Sequence, residues 1–217
     1  TLTAIPSNYT TFYNWTGDIA GGESTSNPLI TTMTGNKSII ATFNISKICV
    51  NLTLQEGFNL ITIPFENNWT AKTLLENISH AQQVLRYDPF DERYYGYLVG
   101  QPPHLDFSVY NGQGYQVYVS QNTSLNHCGY PINNVSVQLY EGFNLIGWYH
   151  EENTTASCLA SKIPGCVQVL RYDSFDERYH SYLVGGPPHK DFVITQGMGI
   201  QIYVNQNSTW YGEGFCD

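Results

Sequence analysis

The sequence predicts a mainly β protein, made of three small β-rich domains in tandem of which the second and third each carry one short helix. Three observations lead there. VLRYDPFDERYYGYLVGQPPHLDF at residues 84–107 returns as VLRYDSFDERYHSYLVGGPPHKDF at 169–192, and the same offset of 85 residues aligns 50–124 with 135–209, identical at 41 of 75 positions. A period near 85 is the size of a domain and far too long for a solenoid unit. Apolar residues alternate in short runs punctuated by Gly, Pro and Asn, which is the strand-and-turn pattern. The resulting division is 1–46, 47–131 and 132–217.

Residues 1–46 read as β throughout. TLTAIPS and TFYNWTGD supply two strands around a turn at Ser7 to Tyr9. In NPLITTMTGNKSIIATF, Leu29, Thr31 and Met33 alternate before a Gly35-Asn36 turn and Ile39, Ala41 and Phe43 alternate after it, which predicts a hairpin. Each repeat copy opens on a strand in which EGFNLI, at 56–61 and 141–146, marks a turn or bulge. A short helix comes next, capped by Thr70 or Thr155, with Leu74 and Ile78 or Leu159 and Ile163 four residues apart on one face. The RYDxFDERY stretch then reads as a hairpin, and a second hairpin is expected around Gly112-x-Gly114 and Gly197-x-Gly199.

Charged residues are only 12% of the chain, whereas Asn, Ser, Thr and Gln make up 65 of 217 residues, so the surface is polar and mostly uncharged. A net charge of -9 with nine basic residues excludes nucleic acid and anionic lipid as partners, since both need a basic face. No apolar run of about 18 residues marks a membrane span. The chain begins at Thr1 inside a strand-like segment, which reads as a mature or partial chain.

Asn-x-Ser/Thr occurs at Asn8, Asn14, Asn36, Asn44, Asn51, Asn68, Asn77, Asn122, Asn134, Asn153 and Asn207, eleven of nineteen Asn. Chance at this composition gives about three. Asn68 with Asn153, and Asn122 with Asn207, recur at matching places in the two copies. The expectation is an extracellular, densely N-glycosylated protein, whose covalent glycans supply the solubility that charges do not. Five cysteines fit an oxidising compartment. Cys158 and Cys166 stand together where the first copy has Thr73 and Ala81, which makes them the expected disulfide. Cys49 and Cys128 flank the first copy and are the next pair, and Cys216 is left for a bond to another chain or to sequence outside this stretch.

All four arginines, Arg86, Arg93, Arg171 and Arg178, lie in the duplicated motif with two Asp and one Glu per copy. Paired carboxylates Asp88 and Asp91 could serve catalysis, and Asp88, Asp91 and Glu92, or Asp173, Asp176 and Glu177, could hold calcium as weak candidates. An ion-paired hairpin explains the arginines as well and is the preferred reading, with no metal and no cofactor expected. His104 and His189 read as turn residues after two prolines. His150-Glu151-Glu152 lacks the second His of a metalloprotease helix, and Gly-x-Ser-x-Gly does not occur, so the chain reads as non-enzymatic.

LTAIPSNYTTFYNWTGD followed by NPLITTMTGNKSIIATF resembles secreted bacterial repeat domains related to the internalin B-repeat. Members of that family usually begin with one more strand, so the resemblance implies an open sheet edge in the first domain. The repeat unit, from EGFNLI through RYD, Asp-Phe and Gly-x-Gly to Val-Tyr-Val, resembles repeats of bacterial and archaeal cell-surface proteins. The tandem repeats, the open edge of the first domain and the leftover Cys216 point to a structural surface protein that associates with itself into a filament, sheath or surface layer. A carbohydrate-binding or adhesive module, suggested by 17 Tyr and 4 Trp, is the alternative, with the accessory region of a larger secreted enzyme beside it.

Overall fold

The computed structural model describes residues 1–216 and is mainly β. It forms two compact units, Thr1–Ile48 and Cys49–Asp217, and the second holds both repeat copies.

In the first unit β1 (Thr10–Gly17) is central, with β2 (Glu23–Ser24) on one side and β3 (Ile39–Ile45) on the other, both antiparallel. Trp15, Ile19, Ala4 and Leu29 form its core, backed by Phe12, Ala41 and Phe43. The expected hairpin across Gly35-Asn36 does not form. Leu29 pairs with Leu2, and Ile39–Ile45 pairs with β1. Of the alternating residues before the turn, Leu29 is buried while Met33 is 64% exposed. The aromatic face of Phe12 and Trp15 is what captures β3, and that tertiary contact overrides the local alternation.

In the second unit, copy one comprises β4 (Ile48–Leu54), β5 (Gly57–Ile61), α1 (Ala71–Asn77), β6 (Ala81–Asp88), β7 (Arg93–Leu98), β8 (Tyr115–Val119) and β9 (Thr123–Gly129). Copy two comprises β10 (Val137–Leu139), β11 (Gly142–Gly147), β12 (Thr154–Thr155), α2 (Ala156–Lys162), β13 (Cys166–Asp173), β14 (Arg178–Leu183), β15 (Val193–Ile194), β16 (Gly199–Val204) and β17 (Ser208–Trp210). The main sheets correspond strand for strand. Each copy has a four-stranded sheet, ordered β5-β8-β6-β7 or β11-β16-β13-β14, and a two-stranded ribbon, β4-β9 or β10-β17.

Local chemistry explains the shared order of elements. In EGFNLI the buried Asn59 side chain accepts from Gln55 N at 2.9 Å and donates to Gln55 O at 2.7 Å, bracing the turn before β5, and Asn144 does the same with Tyr140. Thr70 and Thr155 cap their helices by accepting from Thr73 N and Cys158 N. Leu74, Ile78, Leu159 and Ile163 are buried. The second expected hairpin is absent from both copies. Strand β8 lies between β5 and β6 with both edges taken, so residues 107–111 turn away and Ser108 bridges to Thr70 at the start of the helix.

The Gly-x-Gly loops instead join the copies. Ile61 bridges to Met198 and Gln113 to Ile146; Thr62 N donates to Gly197 O at 2.9 Å and Gly147 N to Gly112 O at 2.8 Å. An offset of 85 carries each of these pairs onto the other. Reciprocal contacts of this kind define a two-fold relation, so the duplicated unit behaves as a dimer within one chain. Near its axis the Tyr94 hydroxyl lies beside that of its own counterpart, Tyr179, which accepts from Gln116 Nε2 of copy one at 3.0 Å. This is why the two copies share one compact unit.

Two disulfides staple the unit differently in each copy. Cys49 joins Cys128 across the β4-β9 ribbon, with Cα atoms 4.0 Å apart. Cys158 joins Cys216, with Cα atoms 5.2 Å apart, so the expected Cys158–Cys166 pair and the unpaired Cys216 are both corrected. Cys158 lies in the first half of α2, and the remaining helix carries the chain about 6 Å away before the turn to Cys166. The tail meanwhile crosses the helix start: Gly214 O accepts from Thr154 Oγ1, Gly212 O lies 2.8 Å from His150 Nε2, and Phe215 packs on Trp148. Cys166 is the free cysteine; burial pushes its thiol up to about 11, against a weak opposing contact to Gln168 O.

Candidate functional site

The duplicated hairpin is the chemically richest surface of the chain. In copy one Asp88 Oδ1 accepts from Phe90 N at 3.0 Å and Asp91 N at 3.2 Å; in copy two Asp173 Oδ1 accepts from Phe175 N at 3.0 Å and Asp176 N at 3.3 Å. Glu92 and Glu177 close these turns with φ of 52° each. The first Asp of each motif therefore spends one oxygen on folding its own turn. Those amide bonds, from Asp176 first and Phe175 next, hold the Asp173 carboxyl below the usual range, with His180 and Arg171 adding to the effect.

Beyond the turn the copies diverge. In copy one Arg93 and Tyr95 both hold Asp91, and the Tyr95 hydrogen bond foremost lowers its pKa. Arg86 lies between two rings, 5.1 Å from the Tyr95 centroid and 5.2 Å from that of Phe107. Arg93–Asp91 is thus an ion pair of the expected kind, but Arg86 and Arg171 stack on aromatic rings.

Copy two has His180 in place of Tyr95. Its Nε2 lies 3.8 Å from both Asp173 Oδ2 and Asp176 Oδ2 and makes no hydrogen bond. Among the described residues this is the group whose atoms converge within metal-binding distance, all within 4.8 Å. Of the weak calcium candidates, Asp91 is engaged by Arg93 and Tyr95, Asp173 and Asp176 face His180, and Glu177 faces the Gly57 end of copy one. Two carboxylates and an imidazole suit a borderline transition ion better than calcium.

Arg171, opposite His180 in the β13–β14 register, stacks on Phe192 at 5.3 Å. Beside it opens a groove of ≈ 570 Å³ lined by Arg171, Tyr179, His180, Ser181, His189 and Lys190, with Leu183, Pro187 and Phe192 as apolar wall. Asp191, at the rim, is turned inward: its carboxylate accepts from Ser157 N at 2.9 Å and Ser157 Oγ at 2.6 Å. Burial alone would raise its pKa, but these bonds, with Thr155 and Phe192 N, outweigh it and lower the net value. Sequence reasoning passed over this groove because its residues come from separate stretches, 171, 179–183 and 187–192. The signal that could have found it is that His180 and Lys190 are basic where copy one has Tyr95 and Leu105.

Phe90 and Phe175, the hairpin tips, are 75% and 86% exposed; Phe90 touches Tyr140 of the other copy at 5.8 Å between centroids. Ten sequon asparagines, Asn8, Asn36, Asn44, Asn51, Asn68, Asn77, Asn122, Asn134, Asn153 and Asn207, are at least partly exposed. Asn14 is buried and its Nδ2 donates to Glu23, so the atom a glycan needs is engaged. Asn122 and Asn207 are placed well for attachment, because their Oδ1 accepts from Glu56 N and Glu141 N and leaves Nδ2 outward. No helix among the described residues is long and apolar enough to cross a membrane.

Residues 1–47 match the family model of a divergent InlB B-repeat domain. No curated protein and no solved structure matches the chain.

Proposed function

We propose that the chain is a structural component of an extracellular surface assembly, N-glycosylated and associating with further copies of itself. The observation that carries this reading is the match of residues 1–47 to a surface-repeat domain family. The ten accessible sequons and the two disulfides support the compartment. Strand β3 supports the mode of growth: it is an edge strand of its sheet, and it carries Ile40 and Ile45 at 58% and 51% exposure. An edge strand of seven residues, five of them apolar, is a template for a strand from a neighbouring subunit, and head-to-tail addition does not close on itself.

Two measurements test the proposal. Negative-stain microscopy of the native glycosylated protein over a concentration series is expected to show ordered oligomers or filaments, and Ile40→Lys is expected to dissolve them. Intact mass before and after deglycosylation is expected to fall by several glycans. Uniform monomers at every concentration would overturn self-assembly, and an unchanged mass would overturn the glycoprotein reading.

A further inference from the structure

Three sequence differences between the copies change one place in the fold. In copy one the guanidinium of Arg86 contacts two rings, Tyr95 at 5.1 Å and Phe107 at 5.2 Å, and Leu105 belongs to the Pro103–Leu105 turn. In copy two the covering ring is His180, drawn to Asp173 and Asp176, Gly96 is replaced by Ser181, and Leu105 by Lys190. The result is a guanidinium stacked on Phe192 at the wall of an open groove that also receives an ammonium and two imidazoles. Four basic or imidazole side chains converge here, in a chain of net charge -9. Of the neighbouring carboxylates, Asp191 is satisfied by Ser157 at the start of α2, and Asp173 and Asp176 each stand 3.8 Å from the His180 imidazole.

We propose that this groove binds an acidic saccharide, with Arg171 and Lys190 receiving the carboxylate of a uronate-type sugar. A planar carboxylate matches the fork of a guanidinium held in place by stacking on Phe192. Two permanent cations, with Asp191 in the lining and Asp173 and Asp176 behind His180, suit no more than a singly charged group and disfavour a clustered polyphosphate. Ser181, His180 and His189 offer donors and acceptors for sugar hydroxyls, and Phe192, Leu183 and Pro187 offer an apolar wall for the faces of sugar rings. The volume lies within the usual range for small-ligand sites. This inference is independent of self-association, since none of the groove residues lies on β3.

The test is calorimetric titration of the full chain with trigalacturonate and, separately, with the neutral galactose trimer, at low and at physiological salt. Expected is binding of the acidic trimer at least about tenfold tighter than the neutral one, weakening as salt rises. Lys190→Leu and His180→Tyr install the residues that copy one carries at the same places. Each is expected to weaken binding about fivefold or more while circular dichroism and thermal unfolding stay unchanged. Arg171→Lys, which keeps the charge and loses the fork, is expected to weaken it as well. Equal affinity for the two trimers, no binding of either, or affinity untouched by Lys190→Leu and His180→Tyr together would overturn the proposal. Equally tight binding of tri-glutamate would reassign the groove to acidic peptides and overturn the saccharide.

Discussion

Copy one and copy two share a backbone plan down to the hydrogen bonds of single asparagines, yet their hairpins do different chemistry. Asp91 in copy one is neutralised by Arg93 and bonded to Tyr95, and Arg86 is closed between rings. The corresponding Asp176 in copy two faces His180, and Arg171 opens onto a groove. The lesson is that duplication preserves what the turn and the sheet require, Asp88 and Asp173 above all, and frees the positions that project past them. The same division holds for the staples. Cys49–Cys128 clamps a ribbon in copy one, whereas Cys158–Cys216 ties a helix to the tail in copy two, and neither bond has a counterpart in the other copy.

The staples offer the largest way to break the comparison. The bonds close sequence separations of 79 and 58 residues, which in the loop-entropy picture are each worth about 4 kcal/mol. Replacing Cys158 and Cys216 by Ser is expected to lower urea stability by that order, as is replacing Cys49 and Cys128. Cys166→Ser is expected to cost far less. A large loss with Cys166→Ser and none with Cys216→Ser would restore the pairing expected from sequence.

Next in size is the two-fold contact between copies. At equivalent places stand Thr62, whose Oγ1 donates to Gln113 O at 2.7 Å, and Gly147, where a Cβ would collide with that same Oγ1 and lie 2.8 Å from Gln113 O. The axis has room for one side chain and not for two. Gly147→Thr, which makes the copies more alike, is therefore expected to destabilise by about 3 kcal/mol. Exchanging the residues by adding Thr62→Gly is expected to recover most of the loss in a chemical-denaturation cycle. Failure of the exchange to recover any would show that the relation between the copies is not a two-fold at this point.

The smallest effect separates the helix starts. Asp106 accepts from Lys72 N at α1, while Asp191 takes both the amide and the hydroxyl of Ser157 at α2. The folded-state pKa of Asp191 is depressed, so its contribution is present above the unfolded carboxyl value near 4 and lost as pH falls through the folded value. Asp191→Asn is expected to remove under about 1 kcal/mol at pH 6, given solvent screening, and the gap from wild type is expected to shrink below pH 4. Denaturant titrations at pH 6, 4 and 3 would measure it, and a gap that widened on acidification would refute the assignment.

By itself the sequence determined the class of fold, the duplication and its period, the helix caps at Thr70 and Thr155, and the turn made by RYDxFD. Each of these is written in residues a few positions apart, or in a repeat visible by self-comparison. The tertiary structure alone decided which strand pairs with which. Local alternation around Gly35 and Gly112 looks like a hairpin whether or not a better edge exists elsewhere, and β1 and the β5–β6 pair supplied that edge. It also decided the partner of Cys158, because a side chain near the start of a helix reaches the segment packed over it and not the residues beyond the helix end. The groove in copy two belongs to the same class: its residues come from three separate stretches that only folding brings together, with Asp173 and Asp176 set beside the His180 imidazole.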